Sequence, residues 1–156
     1  MLTKYLATFF ISMIPIVELR GAIPIGIGYG LDPIVTYIIC VIGNMLPMPI
    51  IYFFARKTLV WGADKKFIGK FFRWCLTKGE HGGQKLREKA GNGGLVIALM
   101  LFVGIPIPGT GAWTGTLAAS FLDMGIKKTT LAVSLGVIIA GTIMALTSTT
   151  LFAAIG

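Results

Sequence analysis

The chain is organised around the stretch Pro15-Ile16-Val17-Glu18-Leu19-Arg20-Gly21-Ala22-Ile23-Pro24. This stretch puts a carboxylate and a guanidinium inside an apolar run that covers residues 5–29. Each ion would cost about 2.5–3.5 kcal/mol at the centre of a membrane-inserted helix. Because ionisable residues retained at membrane depth commonly serve a substrate or a proton, Glu18 and Arg20 are candidate binding residues.

Proline on both sides of the two charges predicts that the first run is not one unbroken helix. Pro15 and Pro24 each lack a backbone N–H and bias the preceding residue away from helical angles. We therefore predict a broken, re-entrant hairpin whose unwound centre is buried in protein or lines a wet cavity. In an extended centre Glu18 and Arg20 would lie on one side and pair. A structural ion pair that locks the break is the alternative to a binding site.

Composition indicates an integral membrane protein. The chain has 156 residues, of which 55% are hydrophobic and 13% charged, with a mean hydropathy of +0.85. One membrane domain, residues 1–156, with several crossings of the inner (plasma) membrane is predicted. Cys40 and Cys75 indicate neither a disulfide framework nor a metal site, and no cofactor is expected. The apolar runs, each long enough for a bilayer, cover residues 5–29, 33–56, 93–122 and 129–155.

The net charge of +8 is interpreted as membrane topology rather than affinity for nucleic acid. Ten of the fourteen basic residues lie between Arg56 and Lys89, which predicts that loop 57–92 is cytoplasmic. Within it, residues 64–76 repeat large apolar side chains at helical spacing, with basic residues between them. This pattern is typical of an amphipathic helix on anionic lipid, and a contact with a partner protein is the second interpretation. The basic residues of this predicted membrane surface are Lys65, Lys66, Lys70 and Arg73.

Two further patterns concern the helices around this loop. Residues 79–94 are predicted to form a glycine-rich charged link. The second apolar run is predicted to be a single helix that Asp32 caps and that continues to about Arg56. Inside it, Asn44 is a lone amide at mid-membrane. It either lines the site or holds a neighbouring helix by a hydrogen bond.

The third run repeats the design of the first without any charge. Its prolines and glycines break a helix, and Thr110 and Thr114 supply hydroxyl groups. Clustered glycines can present backbone amides to an anion, but they are also common packing residues in membranes. The centre of the run reads Gly104-Ile105-Pro106-Ile107-Pro108-Gly109-Thr110-Gly111-Ala112-Trp113-Thr114-Gly115.

The two halves of the chain resemble each other, which predicts one repeat over residues 1–56, the insert 57–92, and a second repeat over residues 93–156. If the two broken runs are hairpins entering from opposite faces, Lys127 and Lys128 are cytoplasmic, as the distribution of positive charge favours. The halves would then form the inverted repeat of many transporters. The matching positions are Pro15 with Pro106, Gly21-Ala22 with Gly111-Ala112, Leu31-Asp32 with Leu122-Asp123, and Gly43-Asn44 with Gly141-Thr142.

Through the two quoted motifs the chain resembles the bacterial small multidrug export protein family. That family is similar to the DedA superfamily, which has paired re-entrant hairpins and includes transporters of polyprenyl-phosphate lipids and lipid scramblases. The resemblance implies a transporter whose hairpins meet at mid-membrane. It marks Glu18 and Arg20 in the first hairpin and Pro108-Gly109-Thr110-Gly111 in the second. DedA proteins carry arginines around the second-hairpin proline, whereas residues 104–115 here hold no basic residue.

The leading hypothesis is a transporter of an amphipathic or lipid-like substrate, either a polyprenyl-phosphate-type lipid or a lipophilic drug. Arg20 would meet an anionic headgroup, and Glu18 would be the proton-linked group. A lipophilic cation instead needs Glu18 to be free of Arg20. The alternative class is a non-transporting membrane scaffold or assembly factor in which the pair is structural. An enzyme is not expected, because the sequence offers no catalytic constellation. Membrane lipids and a second copy in a homodimer are the expected partners.

Overall fold

The protein is built of helices. The computed structural model describes residues 1–65, 69–107 and 109–155, and within them it contains no strand. The predicted all-α class is therefore confirmed. Two segments are long and apolar enough to cross a membrane, Pro33–Ala63 and Ile126–Ala154. The helices are α1 (Leu2–Ser12), α2 (Glu18–Gly28), α3 (Pro33–Met45), α4 (Met48–Ala63), α5 (Gly69–Gly104), α6 (Ala112–Phe121) and α7 (Ile126–Ile155).

The first and third apolar runs are both broken near a proline. The first break covers residues 13–17 around Pro15, and the second lies between α5 and α6 at Pro106. The helices α1, α2 and α6 have 10 or 11 residues, which at 1.5 Å per residue gives about 15–17 Å, near half of a bilayer core. Pro24, in contrast, lies inside α2 without ending it, so the predicted break on that side is wrong.

The second apolar run differs from the predicted single helix. Helix α3 ends at Met45 and α4 begins at Met48, because Pro47 cannot donate the hydrogen bond that would continue the first helix. The predicted cap of α3 is confirmed, since the Asp32 side chain accepts the N–H of Val35 at 2.9 Å. The helical path also extends to Ala63 rather than stopping near Arg56.

The insert is more helical than predicted. Helix α5 begins at Gly69 and continues through most of the segment predicted as a link, residues 79–94. It is interrupted at Gly91, whose φ of 65° and ψ of 178° are not helical. Each helical glycine costs about 1 kcal/mol relative to alanine, which is why the sequence favoured a link there. The start of the predicted amphipathic helix at residues 66–68 lies outside the described residues.

In each half of the chain, two helices approach each other closely at a glycine. A β-carbon at Gly43 would lie 2.2 Å from the Ser12 hydroxyl oxygen, which joins α3 to α1. A β-carbon at Gly136 would lie 2.7 Å from the Met100 carbonyl oxygen, which joins α7 to α5. Glycine at these two positions lets the helix backbones approach more closely than any other residue would allow.

Three features of the first half recur 93 positions later. A residue at positive φ precedes α3 and α7, and each of these helices then begins and packs closely at a glycine. The pairs of residues are Gly30 with Asp123, Pro33 with Ile126, and Gly43 with Gly136. Other features are spaced differently, since α2 and α6 begin 94 positions apart and Pro15 and Pro106 are 91 positions apart.

This spacing differs from two of the pairings predicted from the sequence, Leu31-Asp32 with Leu122-Asp123 and Gly43-Asn44 with Gly141-Thr142. The turns also differ, because Asp123, at φ 52°, and Gly125, at φ 80°, both precede α7, whereas Gly30, at φ 74°, precedes α3. The repeat of the two halves stays a prediction.

The long helices α3 and α7 run in opposite directions. Near the start of α3, Pro33 shares the wall of a shallow apolar cavity with Thr149, which is near the end of α7. Further along α3, the Tyr37 hydroxyl donates to the Ile138 carbonyl at 3.4 Å, and its ring lies against Gly141. These two helices are therefore antiparallel.

An ion pair between Arg56 and Asp123 joins α4 to the turn after α6, at the edge of the bundle. Both side chains are more than 40% exposed. Because exposed pairs contribute about 0–1 kcal/mol, we expect Asp123→Asn to lower the free energy of unfolding by no more than about 1 kcal/mol. Asparagine tolerates the positive φ of this position. Thermal unfolding in detergent, followed by tryptophan fluorescence, measures the change, and a loss several times larger would contradict this estimate.

Candidate functional site

The breaks in the two apolar runs face each other. The Trp113 indole N–H, at the start of α6, donates to the Met13 carbonyl in the first break at 3.1 Å. Between the breaks lies a cavity of about 330 Å³. The predicted site residues that line it are Glu18, Arg20, Gly109, Thr110 and Thr114. The structure therefore brings most of the residues singled out in the two motifs to one place.

Glu18 binds the beginning of α6. Its side chain is buried, and its carboxylate accepts the backbone N–H of Trp113 at 3.2 Å and that of Ala112. The first N–H groups of a helix have no partner inside the helix, and the helix dipole favours negative charge there. Of the two roles left open for the glycine cluster, amides that receive an anion or close packing, the first is present here, and the anion is the carboxylate of Glu18.

Gly111 makes this contact possible. A β-carbon at this position would lie 2.0 Å from Oε2 of Glu18. The φ of Gly111 is −178°, an extended conformation open to any residue. Gly111 is therefore required for space rather than for backbone conformation. Its N–H donates to the Thr114 hydroxyl oxygen at 2.9 Å, which fixes the first turn of α6.

Arg20 binds the end of α5, on the other side of the same break. Its guanidinium donates to the carbonyls of Val103 at 3.0 Å and Ile105 at 3.1 Å, and also to that of Ile107. Helix α5 ends at Gly104, so these carbonyls lie at or just after a helix C-terminus. A cation is favoured there because the last carbonyl groups of a helix lack partners.

Glu18 and Arg20 do not form the predicted ion pair. Within the described residues, no nitrogen–oxygen contact of 4 Å or less joins them. The prediction assumed an extended centre, but α2 begins at Glu18, and residues two apart on a helix point about 200° apart. Glu18 itself has a φ of 51°, a conformation that costs a non-glycine residue roughly 1–3 kcal/mol. The two charges therefore hold the two ends of the opposite break.

The loop between α5 and α6 is held by its own threonine. The Thr110 hydroxyl lies 3.0 Å from the Ile105 carbonyl and 2.9 Å from that of Ile107. Gly109 turns the chain with a φ of 86°. Pro108, the remaining predicted site residue of this motif, lies outside the described residues.

Asn44 lies apart from this site. It is 1% exposed, and within the described part of the chain neither atom of its amide has a hydrogen-bond partner. It is not among the described residues that line the cavity. Of the two predicted roles, lining the site is thus not what this arrangement provides, and the expected bond to a neighbouring helix is not formed either.

The predicted membrane surface is partly described. The Lys65 ammonium lies 4.3 Å from the centre of the Trp61 ring, whereas Lys66 lies outside the described residues. Lys70 is exposed, and the Arg73 side chain donates to the Gly69 carbonyl at 3.3 Å. The rings of two exposed aromatic residues of the same segment, Phe71 and Trp74, stack with their centres 6.4 Å apart.

Sequence reasoning missed Trp113 and the three carbonyl groups as parts of the site. A tryptophan in a glycine-rich break carries an N–H that needs a partner when it is buried, and this signal was available. The carbonyl acceptors leave no signal in the sequence, since every residue has one. Within the described residues there is no group of three or more His, Cys, Asp or Glu side chains able to hold a metal ion.

A comparison of the sequence with models of protein families finds a match. The model of the family described as "Putative small multi-drug export protein" matches residues 18–143. The match begins at Glu18, directly after the first break, and includes the second break. No curated protein and no solved structure matches the chain. Together with the two apolar segments of crossing length found among the described residues, the family match makes the chain a membrane protein.

Proposed function

The chain belongs to the family of small multi-drug export proteins, and we propose that it carries an amphipathic or lipid-like substrate between its two broken runs. The observation that carries this proposal is the cavity of about 330 Å³. Its lining includes two charged residues, Glu18 and Arg20, and two residues with hydroxyl groups, Thr110 and Thr114. Small-molecule sites have this form, with a few polar groups among apolar walls. Ionisable groups in a membrane interior commonly serve a substrate or a proton.

The proposed architecture is an inverted repeat of two re-entrant hairpins, each followed by a membrane-crossing helix. Three observations support it. Short helices lie next to the breaks, three pairs of equivalent residues are 93 positions apart, and α3 and α7 run in opposite directions. In this arrangement loop 57–92 is cytoplasmic and its basic residues contact anionic lipid of the inner membrane.

Cysteine labelling from each side of the membrane tests this topology. Single cysteines replace Gly30, Lys85 and Lys128 in a chain without Cys40 and Cys75. We expect positions 85 and 128 to react from the cytoplasm and position 30 from outside. Reaction of position 128 from outside would mean that the third run crosses fully, which contradicts the inverted repeat.

Two substrate classes make opposite demands on the site. A polyprenyl-phosphate-type lipid would need the guanidinium of Arg20 to turn from its carbonyl partners to the phosphate. A lipophilic cation would need the carboxylate of Glu18 to turn from α6. In both cases Glu18 is the proposed proton-linked group, since a change in its charge would alter the balance of charge in the cavity.

Glu18→Gln is expected to abolish proton-coupled transport while the protein stays folded. Glutamine keeps a carbonyl oxygen for the N–H groups of α6 but does not exchange a proton at physiological pH. The measurement is uptake of ethidium, and separately of a short-chain polyprenyl phosphate, into proteoliposomes with and without a pH gradient. Asp123→Asn removes a carboxylate outside the cavity and is the matched control. Transport by Glu18→Gln with an unchanged dependence on the gradient would rule out proton coupling through Glu18.

A membrane scaffold is the second candidate function, and one observation favours it. Both charges already have partners at helix ends, so they could serve stability alone. In a scaffold, Glu18→Gln would leave function intact, whereas reversing the charges of Lys65, Lys70 and Arg73 would abolish it. A homodimer that closes the cavity over both sites fits either function, and crosslinking in membranes tests it.

A further inference from the structure

Three backbone carbonyl oxygens converge on one guanidinium group between the hairpins. They belong to Val103, Ile105 and Ile107, and the group is that of Arg20. A carbonyl oxygen accepts hydrogen bonds but cannot donate them. The cluster therefore suits a cation that carries several N–H donors, and hydrogen bonds from charged donors are the stronger kind.

The chain builds this acceptor cluster without help from Arg20. The N–H of Ile107 donates to the Ile105 carbonyl at 2.8 Å, so the Val103 carbonyl is left for another donor. The Thr110 hydroxyl also lies within hydrogen-bond distance of the Ile105 and Ile107 carbonyls. All of these residues belong to the second hairpin. The occupant, Arg20, comes from the first hairpin, so a movement between the hairpins would separate the two.

We propose that the Arg20 side chain occupies the position in which the substrate binds, and that this carbonyl cluster binds organic cations with N–H groups, namely guanidinium and primary alkylammonium compounds. The inference rests on the proposed transport function and names its substrate class. Replacing one cation by another leaves the charge of the cluster unchanged. The Glu18 carboxylate in the same cavity supplies the opposite charge, and apolar walls at Ile16 and Met144 suit the hydrocarbon part of an amphipathic compound.

A phosphate headgroup fits the cluster less well. If it drew Arg20 away, the Val103 carbonyl would lose its donor and receive none from the phosphate, whereas the Ile105 and Ile107 carbonyls would keep other donors. A partly buried acceptor left without a donor is unfavourable by about 1–3 kcal/mol. An N–H cation instead satisfies the same oxygens as it releases Arg20, whose flexible stem lets its charged end move toward the open side of the cavity.

Chemical rescue of Arg20→Ala tests the inference. The probe is the guanidinium ion at millimolar concentration, added to the purified variant in detergent, and the readout is Tm from tryptophan fluorescence. At ten times the dissociation constant, we expect Tm to rise by about 3–6 °C. Tetramethylammonium, which has the same charge and no N–H group, should leave Tm unchanged. Sodium should do the same.

Arg56→Ala is the matched control variant, since it also removes an arginine, but one paired with the exposed carboxylate of Asp123. Guanidinium should raise its Tm by less than about 1 °C, because exposed pairs are weak. The double variant Arg20→Ala/Thr110→Val should respond less than Arg20→Ala, because its acceptors are less well held. An equal response to guanidinium and tetramethylammonium, or no response, overturns the inference.

If Arg20→Ala gives no folded protein, it is expressed in medium containing guanidinium. Recovery of folded protein supports the inference, and failure to recover it counts against it. Transport is measured separately, as uptake of octylguanidinium by the wild-type chain in proteoliposomes. Rescue without transport would support the cation site and contradict the proposed transport function. Transport of octylguanidinium without rescue would keep the transporter and reject the carbonyl cluster as its site.

Discussion

Glu18→Ala is expected to destabilise the protein more than any other single removal of a charge. It leaves the N–H groups of Ala112 and Trp113 without an acceptor in a buried position. Each unsatisfied group costs about 1–3 kcal/mol, so the free energy of unfolding should fall by roughly 2–5 kcal/mol. For a chain of this size, Tm falls about 2–4 °C for each kcal/mol, which predicts a loss of roughly 10 °C. Transport should be lost as well.

The conservative variant Glu18→Gln separates the two roles of this residue. The glutamine amide keeps one acceptor oxygen, so most of the stability should be retained while the exchangeable proton is gone. Thermal unfolding of the wild type, both Glu18 variants and Asp123→Asn in one detergent gives the comparison. A Glu18→Ala protein as stable as the wild type would show that the start of α6 does not need the carboxylate, which would contradict the role derived for it.

Gly111→Ala is expected to have the second large effect. Its β-carbon would lie 2.0 Å from Oε2 of Glu18, so either the carboxylate or the backbone of α6 must move. Overpacking of this kind usually costs about 1–3 kcal/mol, and here it also removes the hydrogen bonds of Glu18. We therefore expect a loss of stability close to that of Glu18→Ala, together with a loss of transport.

A double-mutant cycle makes the origin of this effect measurable. In a Glu18→Ala background the clash is absent, so Gly111→Ala should cost less than half of what it costs in the wild type. The matched control is Gly93→Ala, because a β-carbon at Gly93 meets no atom within 4 Å and alanine is the better helix former. Additivity of the two substitutions within about 0.5 kcal/mol would show that Gly111 and Glu18 act independently. That result would contradict the contact.

These two expectations change the interpretation of the charged pair. From the sequence, Glu18 and Arg20 were either partners of each other or parts of a binding site. In the structure each one binds a helix end beside the second break, with the anion at the N-terminus of α6 and the cation at the C-terminus of α5. This arrangement gives partners to backbone groups at two helix ends that would otherwise be unpaired inside a membrane domain. It also makes any movement of the two broken runs relative to each other dependent on both charges.

The position of the fold's interruptions could be predicted because proline and glycine act locally. Pro15 and Pro106 stand at the observed breaks, and Asp32 followed by Pro33 begins a helix as expected. The same reasoning failed at Pro24, which α2 tolerates, and along residues 79–90, where glycines lie inside a helix. Local preferences of about 1–3 kcal/mol are overridden when the surrounding packing favours a helix.

By itself, the sequence determined that this is a helical membrane protein with two interrupted apolar runs and that Glu18 and Arg20 are the residues to explain. Composition and the cost of burying charge are enough for that. Only the tertiary structure decided what those charges bind. Their partners are backbone N–H and carbonyl groups of residues 83 to 95 positions further along the chain. Every residue carries such groups, so the sequence cannot distinguish the few left unpaired until the helix ends are brought together in space.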